Sequence, residues 1–263
     1  MPAIQTALLQ QQAAQLSEQF SNPASYISAL EKMLEGYVVP VQRQGRTRSV
    51  RPILFTYETP ALVLKQLQLE MALQARQQPA EALAIADALW AKRTIETRLL
   101  AARLLGATPD AKPSEYTSRL EDWAVENREM ILAPELTERA TLALCGQYPD
   151  KLIDFVGKLL EDAELRKHVF ALGALNTLLR INHFGDLPSI FTLLSKTSRD
   201  PDKKLRPALV EVLSTLAVRS PKETTYFLEQ LLDKKPSDGA QWLARQVAKS
   251  LPEESRQGLR PAS

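Results

Sequence analysis

Along most of the chain, apolar residues recur three and four positions apart, in runs only a few turns long. Residues 57–106 show this best. Leu64, Leu67 and Met71 share one helical face, then Leu83, Ala86 and Trp90, then Ile95, Leu99 and Ala102. Thr59 with Pro60, then Pro79, then Thr94 stand where such helices begin, and Gly106 stands where the third would stop. Glu96 falls in the first turn after Thr94, where a carboxylate suits the helix dipole. Thr97 occupies the place of a capping-box Glu, so a full box is not expected. Helices this short are marginal alone in water, and each must bury its stripe on a neighbour. Short turns between them favour antiparallel pairs stacked side by side.

The same punctuation continues on both sides. Pro23, Pro113, Pro134, Pro188, Pro201 and Pro221 also precede apolar periodic runs. Leu165 recurs as Leu205 after 40 residues and Val212 as Val247 after 35, spacings that fit one HEAT-like helix pair. The expected fold is all-α: a right-handed superhelical solenoid of HEAT-like pairs forming a single domain. Residues 1–36 would be capping helices, 59–251 the repeats and 252–263 a tail. Residues 37–58 break the rhythm. Tyr37, Val38, Val39 and Val41 precede Gln44-Gly45, and Val50, Ile53, Leu54 and Phe55 follow it. That pattern leaves room for one small β-hairpin near 37–56, or a basic loop, with Pro40 and Pro52 opposing a regular central strand.

Composition narrows the class. Gly is scarce at 9 against 17 Pro, which disfavours a turn-rich β fold. The lone cysteine, Cys145, cannot form an intramolecular disulfide; it reads as a buried thiol and points to a reducing compartment. No membrane-length apolar run and no basic-then-apolar leader is visible, so a cytoplasmic protein with no membrane contact is expected. His168 and His183 lack Cys or His partners at zinc spacing, and no phosphate loop or nucleophile elbow occurs; neither a metal nor a cofactor is expected. Trp90, Trp123 and Trp242 each sit in an apolar helical pattern and read as core.

The charge is unevenly placed although the net is only +2. Residues 109–164 are acidic, whereas 165–263 carry 16 basic and 10 acidic side chains. The candidate phosphate contacts are Arg166, Lys167, Lys203, Lys204, Arg206, Arg245 and Lys249, together with Arg43, Arg46, Arg48 and Arg51 in the non-helical stretch. Solvated helix faces would carry the same residues.

Leu89-Trp90 followed by Glu96-x-Arg98-Leu99-Leu100-Ala101 resembles the bacterial DNA alkylation-repair glycosylases of the HEAT-like, AlkD type. Residues 205–229 and 240–251 are similar to that family's late helices, so the resemblance spans about 57–251. It implies a monomer that holds duplex DNA, damaged or distorted, on a basic concave face. In such glycosylases a Trp and an Asp four residues later attend the sugar of the damaged nucleotide, where a carboxylate stabilises the positive charge that develops. Laid on this chain, that pattern falls on Arg128-Glu129-Met130-Ile131-Leu132. Arg128 takes the place of the Trp and Leu132 that of the Asp, and Glu129 is the carboxylate nearest to hand. The expectation is DNA binding without efficient base excision. Two alternatives stay open: a HEAT-like scaffold for a protein partner, and an active alkylpurine glycosylase that uses Glu129, or a neighbour such as Glu126 or Glu135.

Overall fold

The computed structural model describes residues 5–38, 53–181, 184–233 and 235–258. Fourteen α-helices and no strand occur among them, so the chain is all-α as expected. Of the hairpin expected near 37–56, residues 39–52 lie outside the described residues. Two compact units divide the chain, Met1–Leu144 and Cys145–Ser263.

In the first unit the helices are α1 (Thr6–Ser17), α2 (Pro23–Gly36), α3 (Ala61–Gln77), α4 (Pro79–Ala91), α5 (Ile95–Ala107) and α6 (Pro113–Glu126). A 3-10 turn, Met130–Leu132, and a π-helical stretch, Glu135–Ala140, follow, and α7 (Leu142–Gln147) crosses the unit boundary. Alternate elements form layers. α1, α3, α5 and the π-helical stretch lie side by side, while α2 neighbours α4. Trp90 of α4 stacks on Trp123 of α6, and Asp87 accepts two bonds from Arg119, which adds α6 to the second layer. α3 buries one stripe, Val63, Leu67, Met71 and Ala75, whereas α5, packed against α3, α4 and the π-helical stretch, is buried nearly all round.

The second unit repeats the plan with α8 (Pro149–Glu161), α9 (Leu165–Ile181), α10 (Leu187–Arg199), α11 (Arg206–Arg219), α12 (Pro221–Leu232), α13 (Asp238–Val247) and α14 (Glu253–Gly258). α9, α11 and α13 pack in one layer; α8, α10, α12 and α14 pack in the other. Leu165 opens α9 and Leu205 immediately precedes α11, so the 40-residue spacing is one helix pair. The expected tail therefore contains a helix, α14, packed on α12.

The helix starts follow local chemistry. Asn22, Thr94, Asp186 and Ser237 each accept a bond from the backbone N–H three residues on. Three expectations are corrected. Thr59 does not cap α3: Pro60 holds the cap position and the Thr59 hydroxyl is turned into the interior. The capping box of α5 is complete, because the Thr97 hydroxyl accepts from Thr94 N–H at 3.3 Å while Thr94 accepts from Thr97 N–H at 3.2 Å. A hydroxyl does here what the Glu of the usual box does. Gly106 is not itself the cap either, since α5 ends one residue later at Ala107. It lies within α5, where a Cβ would fall 1.7 Å from the Arg139 carbonyl oxygen of the π-helical stretch.

Candidate nucleic-acid interface

The centre of the first unit is the start of α5. Phe55 carbonyl accepts from Ile95 N–H at 3.0 Å and pairs as a short parallel bridge with Thr94, laying residues 53–59 across the helix end. Glu96 fixes that segment. Its Oε1 accepts from the Thr56 hydroxyl at 2.7 Å and from Thr59 N–H at 3.3 Å. Glu96 is 3% exposed and Arg98 is 4% exposed, so the Glu-x-Arg pair faces inward.

Arg98 closes a buried polar joint. Its guanidinium lies 4.3 Å from the Trp90 ring centroid, donates to the Trp90 carbonyl at 3.3 Å and pairs with Glu126 at 3.4 Å. Glu126 also accepts from the Trp90 indole N–H at 2.9 Å. Trp90 and Trp123 stack with centroids 4.5 Å apart and planes 7° from parallel. Burial holds Arg98 below its ordinary value, with the charge of Glu126 opposing that shift. Sequence reasoning took the two Trp residues singly. The available signal was their 33-residue separation, close to one repeat, which sets them on successive helices of the same layer.

The turn after α6 carries the positions that resemblance marked for catalysis. Asn127 accepts from Glu129 N–H at 3.0 Å and donates to the Glu129 carbonyl at 3.1 Å, which folds the turn back. Glu129 is only 6% exposed, and its Oε1 accepts from Leu54 N–H at 2.6 Å. Leu132 is 1% exposed and belongs to the core. Arg128 is exposed and donates to the Val125 carbonyl at 2.8 Å. Glu135 accepts both arms of Arg103, at 2.7 and 2.9 Å, in a largely buried pair. Of the three carboxylates, Glu126 is the one half open to solvent, with 51% of its side chain exposed.

In the second unit the basic residues divide by position. α9 and α11 run in parallel, since Asn176 donates to Glu211 and Arg219 reaches the Leu179 carbonyl. Their N-terminal ends therefore share one side, with Arg166 and Lys167 on α9 and Lys203, Lys204 and Arg206 at α11. Arg166 pairs with Glu164 at 3.3 Å and Lys167 with Asp162 at 2.7 Å. Arg206 lies 5.5 Å from the Trp242 ring, which is half-buried rather than core. Lys203 and Lys204 are exposed. Arg245 and Lys249 sit farther along, and Lys249 donates to Gln246 at 2.7 Å. Arg43, Arg46, Arg48 and Arg51 lie outside the described residues. Cys145 is buried. Among the described residues no group of three potential metal ligands occurs, and no helix is long and apolar enough to cross a membrane.

The sequence model of the DNA alkylation repair enzyme family matches residues 59–251, well over half of the chain. The chain belongs to that family. It thereby has a DNA-repair-related role, with DNA as the partner the family suggests. No curated protein and no solved structure matches it. The match begins at Thr59, beside Glu96, and ends at Leu251, before α14. For this member of the DNA alkylation repair family, both α1 and α2 precede the shared part.

Proposed function

We propose that the chain holds DNA by its phosphate backbone and releases alkylated bases slowly or not at all. HEAT-like helix pairs supply the frame. Lys203, Lys204 and Arg206 at the start of α11, with Arg166 and Lys167 beside them and Arg245 and Lys249 farther along, supply the contacts, and Arg43, Arg46, Arg48 and Arg51 add to them. The observation that carries this reading is family membership combined with cations gathered at two helix N-termini. At α11, Lys203 and Lys204 oppose the helix dipole at about 0.3–1 kcal/mol each, a cost an anionic partner would remove, whereas Arg166 and Lys167 at α9 already pair with Glu164 and Asp162.

Weak excision is supported by the turn at 128–132. Leu132 is in the core and Glu129 is tied to the Leu54 backbone, so neither offers a carboxylate to a sugar that gains positive charge. The half-exposed Glu126 beside two stacked Trp rings favours a second reading, in which that carboxylate serves instead. Two measurements test these. Binding of an intact duplex, titrated with salt, should fall with a slope that drops by about 0.9 for each phosphate-contacting cation reversed, so Lys203→Glu with Lys204→Glu should flatten it by about 1.8. Charge reversal at Arg46 and Arg48 should do the same; an unchanged slope removes those two residues from the proposed contacts. Release of 3-methyladenine or 7-methylguanine should stay near background. Robust release abolished by Glu126→Gln would establish the second reading, and salt-independent failure to bind any duplex would leave a protein scaffold.

A further inference from the structure

The turn after α6 inverts the usual solvation of side chains. Glu129 is 6% exposed and Leu132 1%, yet the two apolar residues between them face water, Met130 at 86% and Ile131 at 64%. The segment tied to Glu129 does the same: Leu54 donates its N–H to Glu129 while its neighbours Ile53 and Phe55 are 75% and 64% exposed. One hydrogen bond thus joins the two segments that carry these exposed apolar side chains. Both are rigidly footed. Asn127 fixes the Glu129 backbone, Leu132 anchors the far side of the turn, and Phe55 is held by the Ile95 N–H and by an edge contact to Tyr57 at 5.0 Å. An exposed Arg stands beside each tip: Arg128 precedes Glu129, and Arg93 precedes Thr94, the bridge partner of Phe55. Arg93 is held at φ 56°, a left-handed backbone that non-glycine residues adopt rarely. Of the carboxylates at these segments, Glu126 is bonded to Trp90 and Arg98, Glu129 to Leu54, and Glu96 to Thr56 and Thr59.

Apolar tips on fixed feet, flanked by cations, match the way proteins open a base step. An aliphatic or thioether wedge replaces stacking between two bases while Arg and Lys hold the phosphates on either side. We propose that Met130 and Ile131, with Ile53 and Phe55, form a wedge that enters the base stack of duplex DNA at a step already weakened by a missing or mispaired base. The proposal rests on the phosphate-binding reading above. It gives that reading a basis for choosing a damaged site: unstacking costs least where pairing is already lost.

The full-length protein is tested on three duplexes of equal length, one matched, one with a mismatch and one with an abasic site, each carrying 2-aminopurine at the adjacent step. The wild type should prefer the defective duplexes by roughly tenfold and raise the 2-aminopurine fluorescence on them. Met130→Ser with Ile131→Ser should bring the preference to parity and remove the fluorescence rise. Its melting temperature and its salt slope on matched duplex should stay as in the wild type. A variant that keeps the preference, or a wild type that binds without unstacking, overturns the wedge while leaving phosphate binding intact. Failure to bind any duplex overturns both. Concentration-dependent self-association lost in the double variant, with DNA preference unchanged, overturns the wedge in favour of a contact between proteins.

Discussion

Glu129 separates a catalytic from an architectural carboxylate. Its Oε1 accepts Leu54 N–H at 2.6 Å across 75 residues of sequence, and the side chain is almost wholly buried. Hydrogen bonds to a charged partner contribute about 1.5–3 kcal/mol. Glu129→Ala deletes the acceptor and leaves the Leu54 N–H without it, so a loss of about 2 kcal/mol is expected. Glu129→Gln keeps an oxygen at the same reach but no charge, and about half of that should be retained. At roughly 2–4 °C per kcal/mol, the melting transition of the first unit should fall by about 4–8 °C for Ala and about 2–4 °C for Gln. Differential scanning calorimetry gives the shifts, and amide exchange at Leu54 reports the bond itself. Protection of Leu54 should be high in the wild type, reduced in Gln and lost in Ala. Equal melting temperatures for all three proteins, or a rapidly exchanging Leu54 in the wild type, would refute the reasoning. So would a Gln variant with full stability whose base release has collapsed, because Glu129 would then act on substrate rather than on the fold.

Gly106→Ala should cost about 3 kcal/mol or more and lower the thermal midpoint of the first unit, because the new Cβ would lie 1.7 Å from the Arg139 carbonyl and the contact is backbone that cannot swing aside. Thr94→Ala should cost about 1 kcal/mol in urea titration, since it removes the cap from Thr97 N–H. In the second unit, Asp162 is held below its ordinary 3.8 chiefly by the hydrogen bond from Lys167, with Glu164 N–H adding to it. A depressed carboxylate stabilises the fold fully above its unfolded value, and this stabilisation is lost as pH falls through the folded value. Urea midpoints of the wild type should therefore drop from about pH 4 downward, and Asp162→Asn should be less stable at neutral pH but flatter below it.

The helices were legible because their starts are local. Asn22-Pro23, Thr94, Asp186 and Ser220-Pro221 satisfy or remove backbone donors within one turn, and that chemistry needs no distant partner. What was missed depends on approach between elements. Nothing near Gly106 in sequence indicates that Arg139 will press its carbonyl against it, or that residues 135–140 will widen into a π-helical stretch there. The Thr59 hydroxyl looked like a cap, but residues 55–59 are held by Ile95 and Glu96, and Pro60 takes the cap position. The candidate site divides in the same way. Ion pairs such as Lys167 with Asp162 join near neighbours and could be read from spacing; Glu129 with Leu54 could not.

That division also bears on the proposal that a member of this family holds DNA and releases bases slowly or not at all. The Glu96-x-Arg98 pattern that carries the resemblance is buried at both positions. Glu96 ties down the segment entering α3, and Arg98 locks α4, α5 and α6 together through Trp90 and Glu126. Substituting Glu96 would leave the Thr59 N–H without this acceptor in the interior, and substituting Arg98 would take a donor from the Trp90 carbonyl, each at about 1–3 kcal/mol. Such residues constrain the frame whatever the frame is used for. Arg128, by contrast, faces solvent, and Leu132 lies under the surface with only its shape to satisfy. Changes at those two positions alter chemistry without loosening Glu96 or Arg98. The family match runs from residue 59 to 251 and so takes in the joint at the start of α5 as well as the turn between α6 and α7, and base release by the variants above is the measurement that bears on the turn.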